Sequence, residues 1–104
     1  MGEIRRHARV ALECPVVVYQ DDGASVTGTV FDLSLGGCAI ESEAAVPVES
    51  HVVLELRLIE DQPAVKVELG RVSWATRREF GVQFVLLDGA SRARLERFFM
   101  GGSK

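Results

Sequence analysis

Along most of the chain, apolar residues alternate with more polar ones, which is the period of two shown by a β-strand with one buried face. The clearest run begins at Val10, and its even positions stay apolar through Val18. Further runs of strand type cover residues 26–31, 38–41, 52–59, 65–74 and 80–86. In 80–86 we expect Phe80, Val82, Phe84 and Leu86 to face inward. The pattern therefore predicts six strands.

The fifth run changes its inward parity near Gly70. Positions 65, 67 and 69 are apolar before this glycine, whereas Val72 and Trp74 hold the other parity after it. A β-bulge near Gly70 explains the switch, and a bulge bends its strand strongly. Such bending favours a small closed barrel over a flat sheet.

Turn residues separate these runs. Asp21, Asp22 and Gly23 predict a hairpin turn after the first strand. Pro15 has no N–H to donate, so we expect it at an edge or a bulge of the sheet. The segment 42–49, which is rich in Glu, Ala and Val, is predicted as a loop.

A closing helix is predicted after the last strand. Asp88–Ser91 offers N-cap residues, and Leu95, Phe98 and Phe99 follow at helical spacing. This apolar stripe should cover the barrel, with the arginines at 92, 94 and 97 mostly outside. Residues 101–104 form a tail.

Composition narrows the class of protein. A chain of 104 residues with 47% hydrophobic residues fits one domain. The net charge of -3 and the pI near 5.3 argue against bulk nucleic-acid binding. No apolar run is long enough for membrane insertion, and the N-terminus lacks signal-peptide character, so we expect a cytoplasmic protein.

The two cysteines and two histidines do not predict a metal site. Cys14 and Cys38 lie in apolar strand runs, where we expect buried, reduced thiols rather than a disulfide. His7 and His51 are not close to them in a zinc-type spacing. Ser34 lacks the sequence context of a catalytic serine, so we expect no enzyme.

The segment Asp32–Gly37 carries the most distinctive chemistry. It places Asp32, Ser34 and two glycines, Gly36 and Gly37, in one tight turn between strands. Asp32 and Ser34 are two residues apart and can point to the same side, while the glycines permit positive φ and close approach by a ligand. The same residues also make ordinary turns without any ligand, and this alternative stays open.

An arginine-rich arm precedes the first strand. Arg5, Arg6 and Arg9 lie within five residues of a chain that is acidic overall. Guanidinium groups bind phosphate in a bidentate manner and stack on aromatic rings, so the arm suits a small anionic ligand. A solvated basic terminus is the alternative interpretation.

Together, Arg5-x-x-x-Arg9 and Asp32-x-Ser34-x-x-Gly37 resemble the motifs of the PilZ domain, a receptor for the bacterial second messenger cyclic di-GMP. The segments 70–74 and 80–84 also resemble later strands of that family. The resemblance implies a six-stranded antiparallel barrel with a C-terminal helix over 10–100, preceded by a flexible ligand-binding arm, 1–9.

The resemblance also implies the roles of the site residues. The arginines would bind phosphate and guanine, while Asp32, Ser34, Gly36 and Gly37 would fix the base. A carboxylate suits the N1–H and N2–H donors of guanine. Trp74 is interpreted as a core or rim aromatic that closes the barrel, with a wall for the purine as the alternative.

Cyclic di-GMP would be a ligand rather than a cofactor, and binding would order residues 3–9 and change the surface seen by an effector protein. The protein would be a monomer or weak homodimer. A constitutive protein-interaction adaptor of the same fold, without nucleotide binding, is the competing function.

Overall fold

In a computed structural model, the described residues are 9–100, and they form six strands and one helix. The predicted arm residues Arg5 and Arg6 and the tail 101–104 lie outside this range. The elements are β1 (Val10–Gln20), β2 (Ser25–Leu33), β3 (Gly37–Glu41), β4 (His51–Leu56), β5 (Val65–Ala75), β6 (Glu79–Leu87) and α1 (Gly89–Phe99).

The strands form a closed antiparallel barrel in the order β1-β2-β3-β6-β5-β4, and β4 pairs with β1 to complete the ring. The predicted barrel is therefore confirmed. The predicted hairpin joins β1 to β2, where Gly23 has a φ of 91°. The Gln20 N–H donates to the carbonyl of Ala24, and the Gly23 N–H donates to that of Gln20.

Bulges bend the barrel where the sequence changes parity. The pairing of β5 with β6 shifts register on both sides of Leu69, which confirms a bulge beside Gly70. β6 is irregular here too, because Leu69 pairs with Leu86 while Gly70 pairs with Phe84. This shift turns Leu86 outward, to 53% exposure, so the prediction that Leu86 faces inward was wrong.

The barrel interior is filled by alternating side chains from all six strands. The largest fully buried ones include Leu33, Ile40, Leu54, Leu56 and Leu95. Cys14 and Cys38 are buried in this cluster as free thiols, as expected. Burial raises the pKa of the Cys14 thiol to about 11 and also raises the pKa of the Cys38 thiol, so both stay protonated near neutral pH.

The predicted loop 42–49 also contributes to the core. Val46 is buried and belongs to the hydrophobic cluster. Ser42 is buried as well, and its hydroxyl donates to the carbonyl of Thr27 at 3.0 Å. A strand-like alternation is absent from this segment, so its burial was not predictable from periodicity.

The helix begins and packs as predicted. Asp88 is the N-cap, and its carboxylate accepts from the Ser91 N–H at 2.7 Å. Leu95 is fully buried, while Phe98 and Phe99 are partly buried against the core cluster. Within residues 9–100, no helix has the length and hydrophobicity needed to cross a membrane.

A glycine substitution tests how tightly the barrel closes. A Cβ on Gly37 would lie 2.5 Å from the Val82 carbonyl oxygen, whereas a Cβ on Gly89 would meet nothing within 4 Å. We expect Gly37→Ala to lower the free energy of unfolding by about 1–3 kcal/mol, because the β3–β6 backbones would have to separate. Gly89→Ala is the matched control and should not destabilise the protein, since alanine favours a helix over glycine.

Urea denaturation of both variants checks this expectation. Equal unfolding midpoints for Gly37→Ala and Gly89→Ala would contradict the close approach of β3 and β6.

Candidate ligand-binding site

The predicted strand, turn and strand around Ser34 are present. The Ser34 N–H donates to the Gly37 carbonyl at 2.9 Å. The Ser34 hydroxyl also donates to that carbonyl at 3.3 Å and accepts from the Gly36 N–H at 3.2 Å. The serine therefore closes its own turn, which is the alternative that the sequence left open. Ser34 is half-buried and directly follows the last residue of β2.

Neither glycine of this turn has a positive φ, and Gly37 serves close approach instead. Among the glycines that the structure describes, only Gly23 has a positive φ. Gly37 instead packs against the β6 backbone at Val82, where any side chain would collide. The carbonyl of Gly36 accepts from the Phe84 N–H at 2.9 Å, which joins the turn to the same strand.

Arg9 and Asp32, predicted to share a site, form an ion pair with two contacts. Arg9 Nε donates to Asp32 Oδ1 at 3.3 Å, and Arg9 Nη2 donates to Oδ2 at 2.5 Å. The pairing of β1 with β2 brings the two residues together, because Val10 lies opposite Leu33 and Ala11 lies opposite Asp32. The hydrogen bonds that Arg9 donates to Asp32, followed by the negative charge of Asp32, raise the pKa of Arg9.

This ion pair is accessible to solvent. The Arg9 side chain is 48% exposed and the Asp32 side chain is 28% exposed. Water and salt weaken exposed ion pairs, so their contribution to stability is small. The ion pair thus positions both side chains but is weak enough for each of them to exchange its partner.

Small residues occupy the strip of sheet beside this pair, between Asp32 and Trp74, which we call the recess. Strand pairing places Asp32 of β2 opposite Ala39 of β3, Ala39 opposite Gly81 of β6, and Gly81 opposite Trp74 of β5. Residues paired in this way share one face of the sheet. With strands about 4.8 Å apart, the outer two strands of this row are about 14 Å apart.

Trp74 forms the far wall of the recess. It is 42% exposed, and its indole ring occupies the space that a Cβ on Gly81 would need. The tryptophan therefore lies on the outside of the barrel and is not a core residue. Of the interpretations made from the sequence, this surface position is compatible both with a rim aromatic and with a wall against which a purine could pack.

A second row runs parallel to the first. Gly37 lies opposite Gln83, and Gln83 lies opposite Arg71. Neither Gln83 nor Arg71 was among the site residues predicted from the sequence. Arg71 and Trp74 are three apart, which in a regular strand would place them on opposite faces. A register shift between Val72 and Trp74 brings them to the same face, and only the bulge could have revealed this.

The recess thus combines two small residues, Ala39, which is buried, and Gly81, which lies under the Trp74 ring, with an exposed aromatic side chain and charged groups at both sides. Such a surface suits a flat ring that stacks on Trp74 and carries anionic groups that reach arginine. Across residues 9–100, no cluster of three or more His, Cys, Asp or Glu side chains could hold a metal ion.

Comparison with solved structures identifies similar barrels. The Bacillus subtilis inhibitor of motility (MotI/DgrA) superposes with a TM-score of 0.77 at 14% identity, over 97% of this chain and 52% of that chain. The chain described here thus spans about half of that protein.

Two further structures are isolated PilZ domains. The PilZ domain of CeSA from a cellulose-synthesizing bacterium has a TM-score of 0.70 at 22% identity, over 93% of this chain and 99% of that chain. The PilZ domain of YcgR from Escherichia coli, solved with c-di-GMP, has a TM-score of 0.71 at 14% identity, over 95% and 91%.

Sequence comparison agrees with the fold. None of the curated protein sequences shows a significant match to this chain. The family model of the PilZ domain, however, matches residues 3–101, which is nearly the whole chain. With a matching six-stranded barrel and C-terminal helix as well, the chain belongs to the PilZ domain family.

Proposed function

We propose that this protein is a cyclic di-GMP receptor that binds the nucleotide in the recess and regulates a partner protein. The observation that carries the proposal is the Arg9–Asp32 ion pair, held at one side of the recess with Trp74 at the other. Structural neighbours solved with c-di-GMP, such as the YcgR PilZ domain, support the choice of ligand. The function is binding, with no reaction catalysed.

In this proposal different residues bind the phosphate and the guanine groups of the ligand. Arg9, together with Arg5 and Arg6 from the arm, binds phosphate and the O6/N7 edge of guanine. Asp32 accepts hydrogen bonds from the N1–H and N2–H groups of guanine. The Ser34 hydroxyl and the backbone at Gly36 and Gly37 border the same base.

Binding then requires Asp32 to exchange partners. Its carboxylate is held by Arg9, and guanine would supply new donors to it. Arg9 would in turn move toward a phosphate, so one ion pair is replaced by two sets of contacts with the ligand. Because the exposed pair stabilises the protein little, the exchange costs little.

Trp74 supports the proposal as a stacking surface. Its ring is already on the outer face, fixed against Gly81. A purine packed on it would gain apolar contact without moving the barrel strands. We therefore include Trp74 in the proposed site.

A constitutive adaptor without nucleotide binding is the second candidate. The observation that favours it is that Arg9 and Asp32 satisfy each other, while the Ser34 hydroxyl is bonded within its own turn. Isothermal titration calorimetry with cyclic di-GMP separates the two functions, because an adaptor of this kind would release no binding heat.

Loss of the Arg9 side chain should weaken the ligand more than the fold. We expect Arg9→Ala to reduce cyclic di-GMP affinity by about 1.5–3 kcal/mol, the range of a charge-assisted hydrogen bond. The melting temperature should change little, because the ion pair is exposed. Arg92→Ala, an exposed change on α1, is the control and should bind normally. A large loss of melting temperature with normal affinity would make Arg9 structural.

Asp32 should determine guanine selectivity. In Asp32→Ala the preference for cyclic di-GMP over cyclic di-AMP should fall, because adenine lacks the N1–H and N2–H donors that the carboxylate accepts from. Asp61→Ala, in the exposed 61–63 turn, is the matched control. Titration of both nucleotides into each variant gives the ratio of affinities, and an unchanged ratio in Asp32→Ala would remove Asp32 from base recognition.

The arm should become protected when nucleotide binds. We expect amide hydrogen exchange of residues 5–9 to slow with cyclic di-GMP, since ordering several residues costs about 1–2 kcal/mol each and the charge-assisted contacts offset it. Exchange measured by mass spectrometry with and without ligand provides the comparison, and the hairpin turn 21–23 serves as an internal reference. Protection that is the same in both states would contradict ordering by the ligand.

A further inference from the structure

Arg71 lies in the same surface recess, and its guanidinium is positioned by two side chains. Nη1 donates to Glu49 Oε1 at 2.6 Å, and Nη2 donates to Gln83 Oε1 at 3.4 Å. Gln83 stands directly opposite Gly37 on the neighbouring strand, so this second contact connects Arg71 with the strand beside the turn that carries Ser34. The Arg71 side chain is 38% exposed and remains accessible from solvent.

The residue that holds Arg71 has an unusual backbone. Glu49 has a φ of 76°, in the left-handed region that non-glycine residues rarely adopt. Backbone hydrogen bonds impose this conformation, because the Glu49 N–H donates to the Val72 carbonyl at 2.7 Å and the Val72 N–H donates to that of Ser50 at 2.9 Å. These backbone hydrogen bonds therefore hold the strained Glu49 beside Arg71.

Stability alone does not account for this arrangement. The Glu49 side chain is 69% exposed, and ion pairs so open to water contribute little to folding. A left-handed backbone is strained for a residue other than glycine, and such strain clusters at functional sites. Of the two arginines placed in the recess, Arg9 stands at the β2 side and Arg71 stands on β5, about three strand spacings away.

We propose that Arg71 is a second cationic group of the site, which binds an anionic group of the ligand at the wall opposite Arg9. Glu49 and Gln83 are positioning residues that orient its guanidinium. The inference rests on the proposed function and deepens it. A cyclic dinucleotide carries two negatively charged phosphodiester groups. If Arg9 binds one of them, the other still needs a cationic partner, and Arg71 supplies that partner beside Trp74.

Paired substitutions separate ligand binding from a structural role of the ion pair. Arg71→Gln removes the positive charge. Glu49→Gln removes the ion pair but keeps a carbonyl oxygen that can accept from Arg71, and it also removes a negative charge near the ligand. Arg97→Gln, an exposed change on α1, is the matched control. Calorimetric titration with cyclic di-GMP measures affinity, and thermal unfolding measures stability for each variant.

We expect Arg71→Gln to weaken binding by about tenfold or more, in line with a lost charge-assisted hydrogen bond. Glu49→Gln should weaken binding clearly less than Arg71→Gln, because its amide oxygen still accepts from Arg71, although both variants lose the same ion pair. All variants should melt at similar temperatures.

Each other outcome counts against the inference. A loss of less than about fivefold in Arg71→Gln would overturn it, since one charge-assisted bond should exceed that factor. Equal weakening in Arg71→Gln and Glu49→Gln would show that the ion pair matters only for structure. If the unchanged protein gives no binding, the proposed function itself fails, whereas normal binding with an insensitive Arg71 leaves that function intact and rejects Arg71 alone.

Discussion

The close approach of β3 and β6 is the constraint on which both the barrel and its recess depend. These two strands are far apart in sequence, and their pairing from Gly37 to Glu41 is one of the contacts that close the ring. Gly37 is required there because the Val82 carbonyl occupies the place of a side chain. Since Ala39 and Gly81 are also small, the seam leaves an outer surface without bulky groups. The packing that closes the barrel thus also gives the recess its small residues.

Bulges decide which side chains surround the recess. In a regular strand the side chains alternate faces, so every shift of one residue sends the following positions to the other side. The shift between Val72 and Trp74 keeps Val72 in the core while placing Arg71 and Trp74 together outside. The shift near Gly70 turns Leu69 and Leu86 away from the interior. The same irregularities that bend the strands into a small barrel therefore select the polar and aromatic groups at the recess.

The sequence predicted local features well and cross-strand features poorly. Strand existence, the Gly23 hairpin, the Asp88 helix start and the parity change at Gly70 all follow from short-range patterns, and all are present. The role of Gln83 and Arg71 depends on which residue lies opposite which on a distant strand, and no local pattern contains that information. Leu86 was misplaced for the same reason, because its orientation follows from register. The burial of Val46 depends on how a loop without periodicity closes one end of the barrel.

The proposed site has an ion pair at each of its two sides. Arg9 is paired with Asp32 and Arg71 with Glu49, so each described arginine of the recess has a carboxylate partner. These pairs hold long, flexible side chains in defined places, which reduces the entropy lost when a ligand binds. In the proposed receptor, a phosphate that displaced one of these carboxylates would leave it without a donor. A ligand that offers donors to Asp32 as well as phosphate to arginine would compete better than phosphate alone. In the proposed receptor, selectivity thus comes from the requirement to satisfy both members of an ion pair, and attraction by positive charge has only a supporting role.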